Sequence, residues 1–376
     1  MVPYRPIGGA CSSFYCAEKN QLFRHPLEVA MNISQVRNFV DSAPPARPAP
    51  QQFGSPASAV RREVAAPRLV ACVDAGDQAE AVSMQALAVA CSLGLEVTFA
   101  RVIEAPEHFA SPADPIEWQL RRKSQQEKLK RLANQDQVEV LANSVLLAGA
   151  PADELSDWAL EHGATLLALG QRRSDNGKGL GSTAQALLER GEHSLLLVPP
   201  SPVRQRGYRK IMVPIDGSVR ADSVLPIALR IARTHAAELV LVHIVPRLEV
   251  VASPHIPEVD KLRAKIDRHN EQSGSSHLEE LRRRSEGDGV SVSTITRGPG
   301  DPRSLLHDIA IEENADLIVM ASHGNTALED VACGSVAEYL AGHAPAPLLI
   351  VRPNLRCSFG PEPASCRDVS AFRFIG

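Results

Sequence analysis

The chain is short of aromatic residues, of long apolar runs and of surplus charge of either sign. Aromatics make up 4% of the 376 residues against 44% hydrophobic residues overall, so a core must be built from Val, Ile, Leu and Ala. That composition suits a parallel sheet covered by helices. No apolar run approaches the roughly 18 residues that would span a bilayer, and residues 1–25 carry no hydrophobic segment of the signal-peptide kind. The formal net charge is −4, whereas nucleic-acid and membrane-surface binders concentrate positive charge. Neither nucleic acid nor membrane is expected as a partner. The seven cysteines are scattered and odd in number, which fits a reducing, cytoplasmic setting. Cys11 and Cys16 lie close together, but their spacing fits no zinc motif. A Walker Gly-Lys-Ser/Thr and a Gly-x-Ser-x-Gly elbow are both missing, which argues against P-loop hydrolysis and α/β-hydrolase chemistry.

What is there is a duplication. Residues 68–200 and 209–353 each begin with a buried-strand run ending in aspartate, Leu69–Asp74 and Ile211–Asp216. Each closes on Gly-Ser, a helix and an apolar strand: Gly181-Ser182 to Leu195–Val198, and Gly334-Ser335 to Leu348–Val351. A repeat of this length means two copies of one fold side by side.

The second copy predicts strands at 211–215, 239–245, 290–296, 316–321 and 348–351. Between them it predicts helices from Asp222 or Ser223 to His235, over Glu258–Arg284, Pro302–Glu313 and Val336–His343. Asp222 or Ser223 is the expected cap of the first, with Pro226 in its first turn. The second is expected to break near Ser273-Gly274-Ser275, and Asp301 is the expected cap of the third. The first copy repeats the order, with strands near 69–73, 95–103, 138–147, 164–169 and 194–198 and a basic helix over Pro115–Ala133. Strict alternation forces parallel pairing with right-handed crossovers. The expected fold is therefore α/β: two parallel-sheet domains in tandem, each with helices on both faces. The expected division is an extension over 1–67, domains at 68–200 and 208–353, and a tail over 354–376. The extension holds one weakly amphipathic stretch, Pro26–Val40, before proline-rich linker chemistry at Ala43–Pro50.

Ligands of such sheets bind beyond the carboxyl ends of the strands, where the strand order reverses. Two segments of the second copy reach that point: Pro214–Ser218, and the loop Ala321-Ser322-His323-Gly324 that returns through Cys333-Gly334-Ser335-Val336. Glycines and an opening helix there offer backbone N–H groups to a phosphate, and Asp216 suits a sugar hydroxyl or base amine. The plain alternative is a turn glycine followed by a helix cap. His243, inside a strand with no acid or nucleophile visibly paired to it, reads as a satisfied strand histidine.

These residues resemble the universal stress protein family. The likeness is carried by Tyr208–Ser218, by Met320–Gly324 through Gly334–Glu338, and by His343–Val351. It covers residues 68–353, more strongly in the second copy than in the first. The resemblance implies two doubly wound five-stranded parallel-sheet domains, Rossmann-like with strand order 3-2-1-4-5, in tandem, and a homodimer paired through the last strand or an intramolecular pseudo-dimer. One branch of the family binds ATP through Gly-x-x-Gly, nine residues, then Gly-Ser or Gly-Thr. Here Gly324, the spacing and Gly334-Ser335 are intact, while Ala321 replaces the first glycine. Carried over by position, the resemblance implies adenine and ribose contacts at Pro214, Asp216, Ile244 and Met320, with Ala321 beside them. It implies phosphate contacts at Gly324, Gly334, Ser335 and Val336, with Mg accompanying ATP. In the first copy Gly170 is kept, but Arg173 replaces the second glycine and only seven residues precede Gly181. That domain is expected to bind nucleotide weakly or not at all; its Arg172, Arg173 and Lys178 read as a solvated basic loop, with attraction of an anion as the alternative.

The leading expectation is a stress-response regulatory protein binding ATP or a related adenine nucleotide through its second domain. The alternative is a non-nucleotide interaction or scaffold module acting through dimer surfaces. An ATP-hydrolysing or adenylyl-transferring enzyme is the weaker third reading. No general base or metal-ligand set is evident, so any hydrolysis is expected to be slow.

Overall fold

The computed structural model describes residues 67–74, 76, 78–103, 114–135, 142–171, 180–200, 207–247, 257–324 and 332–358. All of them lie in one compact unit, Glu63–Gly376. The Pro26–Val40 stretch, Cys11, Cys16, Arg172, Arg173, Lys178 and the tail past 358 lie outside the described residues.

The first half runs β1 (Arg68–Cys72), α1 (Ala79–Leu93), β2 (Glu96–Ile103), α2 (Pro115–Gln135), β3 (Ala142–Ala148), α3 (Pro151–Glu161), β4 (Ala164–Gly170), α4 (Ser182–Arg190) and β5 (Ser194–Val198). The second runs β6 (Lys210–Pro214), α5 (Val219–Asp222), α6 (Leu225–His235), β7 (Glu238–Pro246), α7 (Pro257–Ser285), β8 (Val292–Gly300), α8 (Pro302–Glu312), β9 (Leu317–Ala321), α9 (Ser335–His343) and β10 (Leu348–Val351), with α10 (Pro353–Ser358) after it. The strands form one ten-stranded sheet in the order β3-β2-β1-β4-β5-β10-β9-β6-β7-β8. Each half therefore has the order 3-2-1-4-5. Pairing is parallel within each half. At the centre β5 and β10 meet antiparallel, Leu196 opposite Leu349.

Alternate residues of each strand enter two apolar layers, one on each face of the sheet. Leu69 and Ala71 lie in one layer with Leu196, Ile211, Val213 and Leu349; Val70 lies in the other with Met212, Leu348 and Ile350. Both layers draw on both halves, so the two apolar layers run continuously through the seam. On one face α1 packs on α6 across this seam. Tyr208 Oη donates to Gln85 Oε1 (2.7 Å), Ser92 Oγ bonds His235 Nε2 (3.0 Å), and Arg230 Nε donates to the Ser92 carbonyl (3.1 Å).

Three local expectations change. The helix after β6 starts twice. Ser218 caps α5 by accepting from the Ala221 N–H (3.1 Å), and α6 begins after Val224 with no side-chain cap. Asp222 instead meets His277 Nε2 at 3.0 Å on α7, which satisfies its carboxylate away from the helix end. The second change is that α7 runs unbroken through Gly274. That residue is buried against the His243 ring, and a Cβ there would run into the imidazole, so the glycine is a packing device and not a stop. The third is that β8 is shifted, starting at Val292 and continuing to Gly300, because it pairs with the long β7 as far as Pro246. Asp301 caps α8, accepting from the Arg303 N–H at 3.2 Å.

Candidate nucleotide site

The strand order reverses between β6 and β9. Pro214 ends β6, Asp216 follows two residues later, Met320 and Ala321 end β9, and Ile244 sits near the end of β7. Adjacent parallel strands thus bring all five to one end of the sheet. Ile244 and Met320 are nearly buried in one apolar layer. Asp216 Oδ1 accepts from the Ser218 N–H (3.0 Å). Gly217 between them has φ +79°, a conformation side chains rarely adopt. This turn lays the Asp216 carboxylate against the loop after β9: a Cβ on Gly324 would run into it.

The loop returns to the same place. The Gly334 N–H donates to the Ser322 carbonyl (2.8 Å), and the Cys333 thiol reaches that oxygen at 3.6 Å. Burial pushes the Cys333 thiol up to about 11, against a pull downward from Arg352. α9 then opens with Gly334 as cap and no side chain closing its end. The first bond inside the helix runs from Glu338 N–H to the Gly334 carbonyl (2.9 Å), so the N–H groups of Ser335, Val336 and Ala337 precede any helical partner. At Gly334 the fold does not require a missing side chain: φ is −73°, and a Cβ would meet its neighbours no closer than 3.4 Å. Gly324, Gly334, Ser335 and Val336 therefore share one loop-and-helix start, with Asp216 across from it.

His243 Nδ1 bonds the Ile215 carbonyl at 2.8 Å, so this histidine ties β7 to the end of β6 and serves the fold.

The first half holds what the sequence reading missed. A cavity of about 300 Å³ lies at the matching end of β1, β2 and β4. Asp74, Arg101, Gly170 and Gly181–Thr183 are among its lining residues. Strand register places Cys72 beside Ala100 and Pro214 beside Val242, so Arg101 matches His243. It does the same work, Nε donating to the Val73 carbonyl (3.0 Å), and also bonds the Asp74 carbonyl and Gln125 Oε1 on α2. Arg101 is 6% exposed. Burial holds its pKa below the usual value, opposed by the Asp74 charge. The only signal in the sequence was a lone cation inside the strand run Val97–Ile103. Gly170 is covered by the Gln78 side chain, whose Nε2 donates to the Gln171 carbonyl (3.0 Å).

Comparison with known proteins agrees with this duplicated architecture. Residues 66–199 and 207–352 each match the family model described as universal stress protein family. The chain is similar to universal stress protein MJ0531 of Methanocaldococcus jannaschii, 30% identical over 145 residues that cover 39% of this chain and 82% of that protein. It is similar to universal stress protein YxiE of Bacillus subtilis, 29% identical over 152 residues, 39% of this chain and 99% of that one. A solved universal stress protein from Archaeoglobus fulgidus shares the fold across both halves, with TM-score 0.54 and 18% identity over 76% of this chain and 98% of that chain. With both halves matched, most of its length is accounted for, and the chain belongs to the universal stress protein family.

Proposed function

We propose that the chain is a stress-response regulator that binds ATP or a related adenine nucleotide at the second half's crevice. The observation that carries this reading is the pairing of Asp216 with Gly324 beside the uncapped start of α9. A hydrogen-bond acceptor for ribose or base faces a set of N–H groups and a helix N-terminus suited to phosphate. Pro214, Ile244, Met320 and Ala321 form the apolar wall for the ring; Gly334, Ser335 and Val336 take the phosphates. ATP fits this donor set, and its part in the chemistry is to supply the polyanion that the α9 amides hold. Among the described residues no group of three or more His, Cys, Asp or Glu side chains could hold a metal ion, so Mg would arrive on the phosphates.

The proposed division is an extension over 1–67, a first half at 68–200 that packs more than it binds, the binding half at 208–353, and a tail over 354–376. The two halves act as an intramolecular pseudo-dimer. We place the protein in the cytoplasm; among the described residues no helix is long and apolar enough to cross a membrane. The second reading, a scaffold without nucleotide, is favoured by one observation: the Asp216 carboxylate itself lies against Gly324 in the crevice, where a Cβ would run into it. Titration calorimetry of ATP into the full chain separates them. Micromolar binding with one site per chain, lost in Gly334→Arg, supports the nucleotide reading; no heat at millimolar ATP leaves the scaffold.

A further inference from the structure

Arg352 follows β10 directly and is 4% exposed. The first half has no counterpart. The Ser322 N–H bonds the Val351 carbonyl as the Gln171 N–H bonds that of Val198, so Pro199 stands where the second half has Arg352. Its guanidinium joins three separate segments. Nε donates to the His193 carbonyl (2.9 Å), Nη2 to the Leu188 carbonyl (3.1 Å) and Nη1 to the Ala332 carbonyl (2.7 Å). Its backbone N–H donates to Ser194 Oγ (2.9 Å).

Two of those carbonyls belong to the first half. Leu188 lies in the last turn of α4, where a helix leaves its carbonyls without internal partners and its dipole favours a cation. The third carbonyl belongs to the second half, two residues before Gly334. Gly191, with φ +73°, allows the turn after α4 to reach the same spot: a Cβ there would lie 3.3 Å from both Ala332 Cβ and Arg352 Nη1.

We infer that Arg352 is a positioning residue, which uses the C-terminal end of α4 in one half to fix Ala332–Gly334 and hence the aim of the α9 amides in the other. The nucleotide reading enters only in what those amides receive; the pin is a separate claim. An arginine is needed because its planar fork reaches three carbonyls at once, whereas a lysine head donates from a single nitrogen. Methionine would fill similar volume and leave the carbonyls without a donor.

The test compares full-length wild type, R352K and R352M by hydrogen–deuterium exchange and by ATP titration. In nucleotide-free R352M, the Gly334 and Glu338 amides, bonded to the Ser322 and Gly334 carbonyls, should exchange about tenfold faster or more, while β1 and β6 keep their protection. ATP affinity should fall about tenfold, the worth of one charge-assisted bond, and R352K should recover part of both effects. Unchanged exchange at Gly334 and Glu338 in R352M overturns the inference whatever the affinity does. If wild type binds no ATP, the nucleotide reading fails and exchange alone decides the pin. If R352M does not fold, R352K carries the same comparison.

Discussion

Arg101 and His243 occupy one position in two copies of a fold, and each bonds the carbonyl that follows the first strand of its half. What differs is the helix packed above. α2 supplies Gln125 to accept from the arginine; α7 supplies Gly274, whose missing side chain makes room for the imidazole. A buried guanidinium needs acceptors for several donors, and a ring needs space. The pair shows how duplicated crevices drift apart: one strand residue changes and its neighbour on the covering helix changes with it. In the first half the result is a cavity lined by both Arg101 and Asp74. In the second it is an imidazole tether beside Asp216 and the glycine loop.

The seam offers the largest effect with which to probe this comparison. Leu196 and Leu349 are both fully buried and face each other between β5 and β10. Leu196→Ala and Leu349→Ala should each cost about 3 kcal/mol in chemical denaturation. If the halves depend on each other equally, the two costs agree within about 1 kcal/mol, and the double variant loses less than their sum. Next come the covering helices. Gly274→Leu should cost about 2 kcal/mol by overpacking the His243 ring. Gln125→Ala should cost about 1 kcal/mol by removing one acceptor of Arg101. Equal costs would mean that the two tethers are not differently packed.

The smallest effect is acid sensitivity of the seam. Burial lowers the pKa of His235 and of His193 below the ordinary imidazole value. Groups depressed in the folded state stabilise it above the unfolded value of about 6.5, and that contribution is lost as pH falls through the folded value. Thermal unfolding should therefore show Tm dropping by a few degrees between pH 7.5 and 5.5. His235→Gln should flatten that slope, and an unaltered slope would take His235 out of the account.

The alternation of strands and helices and the Asp301 cap were legible because paired apolar runs and Asp-Pro are local signals, while the strand order came with the family resemblance. The antiparallel seam was anticipated only through the family resemblance, since no local pattern says which edge strands meet. The continuity of α7 was not legible: Gly274 reads as a breaker until His243, distant in sequence, is placed beneath it. Arg101 was passed over for the same reason, because its role depends on the register of β1 and β2. At the crevice, Asp216, Gly324 and Gly334 were visible as motif residues, while Arg352 was not, its partners coming from α4, β5 and the loop return.

The most direct measurement of the central claim is a paired ATP titration of full-length Gly181→Arg and Gly334→Arg, the two matching helix starts. The account predicts that Gly181→Arg keeps wild-type affinity within about twofold, while Gly334→Arg weakens it by about 100-fold or more, roughly 2.7 kcal/mol. Loss of binding in Gly181→Arg with full binding in Gly334→Arg would place the nucleotide in the first half and contradict the account.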